Sequence, residues 1–124
     1  MYNQNPAHHH SGHEHADVIN SLIECAFACE SCTVACLEVK DVSLMAYCIE
    51  LSRDCAEICL LGAKLLRRDS KVTDGFLMVC EEACRLCAEE CSLHHEYEPC
   101  KACAIACFSC QEACHLEHEK VTLR

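Results

Sequence analysis

Cys80, Cys84, Cys87 and Cys91 stand at offsets 0, 4, 7 and 11, intervals that return to one face of an α-helix. The same C-x3-C-x2-C-x3-C spacing recurs at Cys25, Cys29, Cys32, Cys36 and at Cys103, Cys107, Cys110, Cys114. A fourth copy reads Cys48, Ser52, Cys55, Cys59, and Cys100 is the one thiol outside the pattern. A single buried cysteine behaves as a small hydrophobe. Fifteen in a fourfold repeat are different, because a core of small side chains forfeits the contacts that Leu or Ile would supply. Metal–thiolate bonds form only in the folded arrangement, so metal binding offsets that cost by linkage.

Ligand softness narrows the metal. An all-thiolate interior rejects Mg, Ca and Mn and leaves Cu(I), zinc and iron–sulfur clusters. Zinc favours discrete tetrahedral sites, usually from paired C-x2–4-C loops, and iron–sulfur ferredoxins use compact loop runs absent here. A continuous helical stripe fits neither pattern well. Cu(I) bound by two or three thiolates lets neighbouring sulfurs share many ions, and each Cu⁺ that displaces a thiol proton leaves the interior neutral. Zinc buffering and iron–sulfur electron transfer remain the alternatives.

Positioning these stripes requires four helices. Asp17 or Asn20 can start the first, Asp41 and Ser43 the second, and Thr73 and Asp74 the third, while Pro99 suits a first turn. Three glycines and two prolines leave few breakers, which favours long helices over a many-stranded β fold. Short connections predict an all-α, antiparallel up-down four-helix bundle over residues 17–120 with a cysteine-lined core. Residues 1–16 form a His-rich N-terminal tail expected to be disordered, and 121–124 a C-terminal tail. Equal spacing across two corners, Cys36 to Cys48 and Cys91 to Cys103, predicts flat layers. The top layer holds Cys36, Cys48, Cys91 and Cys103; the next holds Cys32, Ser52, Cys87 and Cys107. Cys29, Cys55, Cys84 and Cys110 follow, and then Cys25, Cys59, Cys80 and Cys114, in a tube about 16 Å long.

Val18, Leu22, Leu65, Leu66, Phe76 and Leu77 should plug the end beyond Cys59 and Cys80. Met45, Cys100, His94 and His95 mark the opposite end as an entrance, Met45 lying three residues before Cys48. Met also fills core gaps, and His near a helix C-terminus also serves the dipole. His115 and His118 fall toward the plugged end, where a surface role is expected. The tail histidines His8, His9, His10, His13 and His15 could gather metal weakly or solvate the terminus.

A net charge of −10 argues against nucleic acid or an anionic membrane as partner. The start, MYNQNPAHHHSGHEH, lacks the basic and apolar regions of a secretory signal, and no segment reads as long enough to span a bilayer. The expected compartment is therefore cytoplasmic, where thiols stay reduced and metal binding outranks disulfides. Thiols three or four apart on one helix also sit too far apart to bridge without distortion. No thiol stands apart beside a base, so the pattern offers no asymmetric site for nucleophilic catalysis.

The runs CRLCAEEC and CKACAIACFSCQEAC resemble the bacterial four-helix copper-storage proteins, in particular their cytosolic branch, over about residues 22–116. The resemblance implies a bundle that packs many Cu(I) ions into its core for storage or detoxification rather than catalysis. It also implies a homotetramer, with exchange of copper with a chaperone as a further expectation. Carried over by position, the ligands are the fifteen repeat cysteines with Cys100 added at the mouth. Ser52 departs from the pattern and leaves its layer with three thiols.

Overall fold

The computed structural model describes residues 15–123, with side chains described through residue 120. Four helices account for the fold: α1 (Ala16–Cys36), α2 (Ala46–Arg67), α3 (Thr73–Ser92) and α4 (Glu98–Leu123). A short 3-10 turn (Val42–Met45) leads into α2. Each helix packs on its chain neighbour and α4 closes back onto α1, as the up-down antiparallel topology requires. The histidine-rich stretch before His15 lies outside the described residues, and α4 continues as helix into residues 121–123.

The helix starts differ in detail from the sequence expectation. Asp17 lies in the first turn of α1, where its charge complements the dipole, but His15 occupies the capping position and no side chain caps the helix. Asp41 and Ser43 instead bond each other at 2.6 Å across the 3-10 turn. The Thr73 hydroxyl donates to Ser70 O at 2.7 Å, so it braces the α2–α3 corner rather than capping α3. That corner reverses through Asp69, whose φ of 53° is left-handed. The Ser70 amide then reaches back to Leu65 O at 2.9 Å, the kind of bond that closes helix C-termini.

One end of the bundle is filled by hydrocarbon. Val18, Leu22, Leu65, Leu66 and Leu77 are buried there and Phe76 is partly buried, which is the plug the sequence predicts. Beside it, His15 Nδ1 lies 2.9 Å from Glu117 Oε2, and both side chains are buried. This pair fastens the start of α1 to the last third of α4.

One expectation needs correction. By length and composition α1 could cross a membrane, with a mean hydropathy of 1.3 over its most apolar window. The value comes in part from the thiols of this helix, which hydropathy scales score as apolar. In the fold those thiols face the bundle interior, together with Val18, Ile19 and Leu22.

Candidate metal centre

All sixteen cysteines are fully buried, free thiols. The repeat spacing explains this directly, since each stripe is the inward face of its helix. Alanines flanking the thiols, among them Ala26, Ala56, Ala88 and Ala104, are buried too, and their small side chains suit close approach of the backbones. From Cys36 and Cys100 down to Cys59 and Cys84 the sulfurs form one connected network. Cys48 and Cys91 are 3.5 Å apart, Cys59 and Cys84 3.5 Å, Cys25 and Cys107 3.6 Å, and Cys29 and Cys103 3.7 Å.

The flat layers predicted from loop lengths are not what the helices form. Cys84 sits between Cys55 at 3.9 Å and Cys59 at 3.5 Å, and Cys25 between Cys55 at 3.8 Å and Cys59 at 4.0 Å. Across the diagonals the offset is a full repeat step: Cys25 meets Cys84 at 3.9 Å and Cys29 meets Cys87 at 3.9 Å. Knobs-into-holes packing is the reason, because a side chain settles between two neighbours on the facing helix rather than opposite one. Half a step is gained at each interface, so the thiols interleave as a staggered column.

The stagger gives Cys100 a place inside that column. It lies 3.6 Å from Cys36 and 3.9 Å from both Cys32 and Cys48. Rather than adding a donor at an exposed mouth, it extends the α4 stripe by one position and completes a buried quartet with those three. A spacing of three residues to Cys103 was the signal that could have shown this. Further groups of close sulfurs run down the column: Cys32, Cys91, Cys103; then Cys29, Cys87, Cys103, Cys107; then Cys25, Cys29, Cys55, Cys107; then Cys25, Cys55, Cys59, Cys84. Cys80 and Cys114 lie at the plugged end, where Cys114 adjoins Cys110 at 4.0 Å. Ser52 occupies its repeat position as a buried hydroxyl 3.6 Å from Cys87 and 3.9 Å from Cys91.

The sulfurs share protons. Thiol neighbours, Cys103 for Cys29 and Cys110 for Cys84, together with burial, hold these two thiols well above their ordinary range. Burial, followed by the charge at Cys32, raises Cys100. Hydrogen bonds from Cys107 lower Cys25, and those from Cys103 lower Cys87 and Cys32. At the plugged end, bonds from Cys110 and Cys80 lower Cys114 to about 5. Packed acids in a low dielectric cannot all ionise, so the titration of each thiol depends on its neighbours. A soft cation relieves this constraint by replacing protons throughout the column.

At the opposite end, Met45 is buried against the thiol cluster. It lines a 310 Å³ pocket with His94, Tyr97, Leu44, Leu93, Val39, Asp41 and Glu96. His94 is held by Glu90, Nε2 to Oε2 at 3.0 Å, and His95 is exposed with Nδ1 3.2 Å from Ser92 O. Neither histidine joins a group of close sulfurs. Tyr97, unnoticed in the sequence, donates its hydroxyl to Ala35 O at 2.9 Å and ties the α3–α4 connection across the end of α1. His115 pairs with Glu81 and Glu119 on the surface, and His118 lies 3.8 Å from Asp74.

Three comparisons bear on this geometry. A family model described as copper storage protein matches residues 11–119. A cytosolic copper storage protein from Streptomyces lividans, solved with five coppers, superposes with a TM-score of 0.84 at 34% identity, covering 88% of this chain and 95% of that one. The Cu(I)-bound copper storage protein BsCsp3 superposes at 0.77 with 37% identity, covering 82% and 94%. An uncharacterized cysteine-rich protein of Bacillus subtilis, YhjQ, is 38% identical over 86 residues, 69% of this chain and 79% of its own length.

Proposed function

Because the chain belongs to the copper storage protein family, we propose that it stores many Cu(I) ions in the cytosol on the thiolates lining its bundle. The observation that carries this reading is the column itself, sixteen buried free thiols, most of them linked by sulfur contacts of 3.5–4.0 Å. At a metal–sulfur bond of about 2.3 Å, trigonal coordination sets sulfurs about 4.0 Å apart and linear coordination about 4.6 Å. Small side-chain rotations therefore suffice to admit ions.

The assigned ligands are Cys25, Cys29, Cys32, Cys36, Cys48, Cys55, Cys59, Cys80, Cys84, Cys87, Cys91, Cys100, Cys103, Cys107, Cys110 and Cys114. Storage follows from their arrangement: each Cu⁺ displaces one proton, neutrality is kept, and each ion is shared between helices. Met45, with His94 and His95, is assigned to the route by which Cu(I) reaches the Cys32, Cys36, Cys48, Cys100 quartet. A soft thioether beside the first thiols can pass a soft ion inward without competing with two or three thiolates. The function is storage rather than catalysis, with a homotetramer as the working assembly and a copper chaperone as exchange partner.

Anaerobic titration of the reduced protein with Cu(I), against a chelator of known affinity and with elemental analysis, tests the reading. On the order of one Cu(I) per thiol is expected, with Zn(II) unable to displace it. Saturation at a few zinc ions in preference to copper would overturn it.

A further inference from the structure

We propose that the groove between α1 and α2 at the plugged end is a docking site for an acidic amphipathic helix of a partner protein. The groove encloses 380 Å³, and its floor is Ile19, Ile23, Leu60 and Ala63. Lys64, Arg67 and Arg68 form its rim, and no carboxylate lines it. Lys71 follows just beyond, so four of the ten basic residues of a chain with net charge −10 fall within eight positions.

These cations are not consumed by the fold. Lys64, Arg67, Arg68 and Lys71 are exposed, and none forms an ion pair among the described residues. Arg85, by contrast, is bracketed by Glu82 and Glu89, and Lys120 meets Glu117. Lys64 and Arg67 lie in the last turn of α2, where they also offset the helix dipole. That role accounts for neither Arg68 and Lys71, which lie beyond the helix, nor an apolar floor beneath the charges.

Charge complementarity selects the occupant. Carboxylates on a partner meet an uncompensated positive rim, and apolar side chains at helical spacing fill the floor, the helix-in-groove mode. A flat anionic membrane or a nucleic acid would meet the acidic remainder of the surface and be repelled. Two copies placed groove to groove would set basic rim against basic rim.

The inference stands independently of which metal fills the core. Its test uses a fluorescein-labelled Glu/Leu amphipathic peptide of four helical turns, with a Lys/Leu peptide of the same pattern as control. Saturable anisotropy with the Glu/Leu peptide alone is expected, weakening as salt rises from about 0.05 to about 0.5 M. Lys64→Glu, Arg67→Glu and Arg68→Glu together should lower affinity at least about tenfold with helicity and Cu(I) capacity unchanged. Ile23→Ser should weaken binding without changing net charge. Absence of saturable binding, indifference to the charge reversal, or tighter binding to phosphatidylglycerol vesicles overturns the proposal. A change of oligomer mass on charge reversal also overturns it, since a second copy would then hold the groove.

Discussion

The Cβ that Gly62 lacks would lie 2.7 Å from the sulfur of Cys80, with Leu22 methyls at 3.7 Å. Gly62 falls three residues after Cys59, where α2 would otherwise present another inward side chain, and its missing Cβ is the space Cys80 occupies. Gly62→Ala brings about 1 kcal/mol of helix propensity against about 1–3 kcal/mol of overpacking. We expect a net loss of up to about 2 kcal/mol in the metal-free protein, measured by urea unfolding. The displaced Cys80 thiol should also lower copper capacity, measured by elemental analysis.

Proton displacement makes loading pH-dependent. With Cys29 and Cys84 held protonated by neighbouring thiols and burial, each Cu⁺ they bind releases a proton. Apparent affinity should fall by up to about tenfold per pH unit per displaced proton as pH drops. Competition against a chelator across acidic to neutral pH, with released protons counted, checks this. Affinity independent of pH would refute it.

Metal-free stability should respond in the opposite direction at alkaline pH. Eleven thiols are shifted up and four down. A thiol raised in the fold stays protonated there after its unfolded counterpart has ionised, so the native state binds more protons and stability falls as pH rises. The upward shifts dominate in number. Thermal unfolding of the reduced, metal-free protein should show Tm declining above about pH 8.5, the ordinary thiol pKa.

Ser52 interrupts the column between Cys87 and Cys91. Ser52→Cys adds a sulfur of similar size there, and on the order of one further Cu(I) per chain is expected by native mass spectrometry. Ser52→Ala removes only long hydroxyl–sulfur contacts and should cost about 1 kcal/mol or less.

Met45→Leu keeps the buried volume while deleting the thioether. Stopped-flow uptake should slow, with final stoichiometry unchanged. Replacing His94 and His95 together by Ala should act in the same direction under the proposed entrance, since neither joins a group of close sulfurs. Loss of most bound copper in either variant would refute the entrance assignment.

The fold and the inward face of the fifteen repeat thiols were legible in the sequence because both follow from periodicity. A helical stripe repeated four times with few breakers leaves one compact solution, and Val18, Leu22 and Leu77 marked the plugged end through their apolar character. Periodicity within a helix, however, says nothing about height between helices. Only tertiary packing decided that Cys84 falls between Cys55 and Cys59, and that Cys100 joins Cys36 and Cys48, because interdigitation offsets each helix by half a step. The Gly62–Cys80 contact, the His15–Glu117 pair and the basic groove between α1 and α2 depend likewise on residues far apart in the chain. Sequence determined which atoms face the core, and three-dimensional packing determined which of them meet.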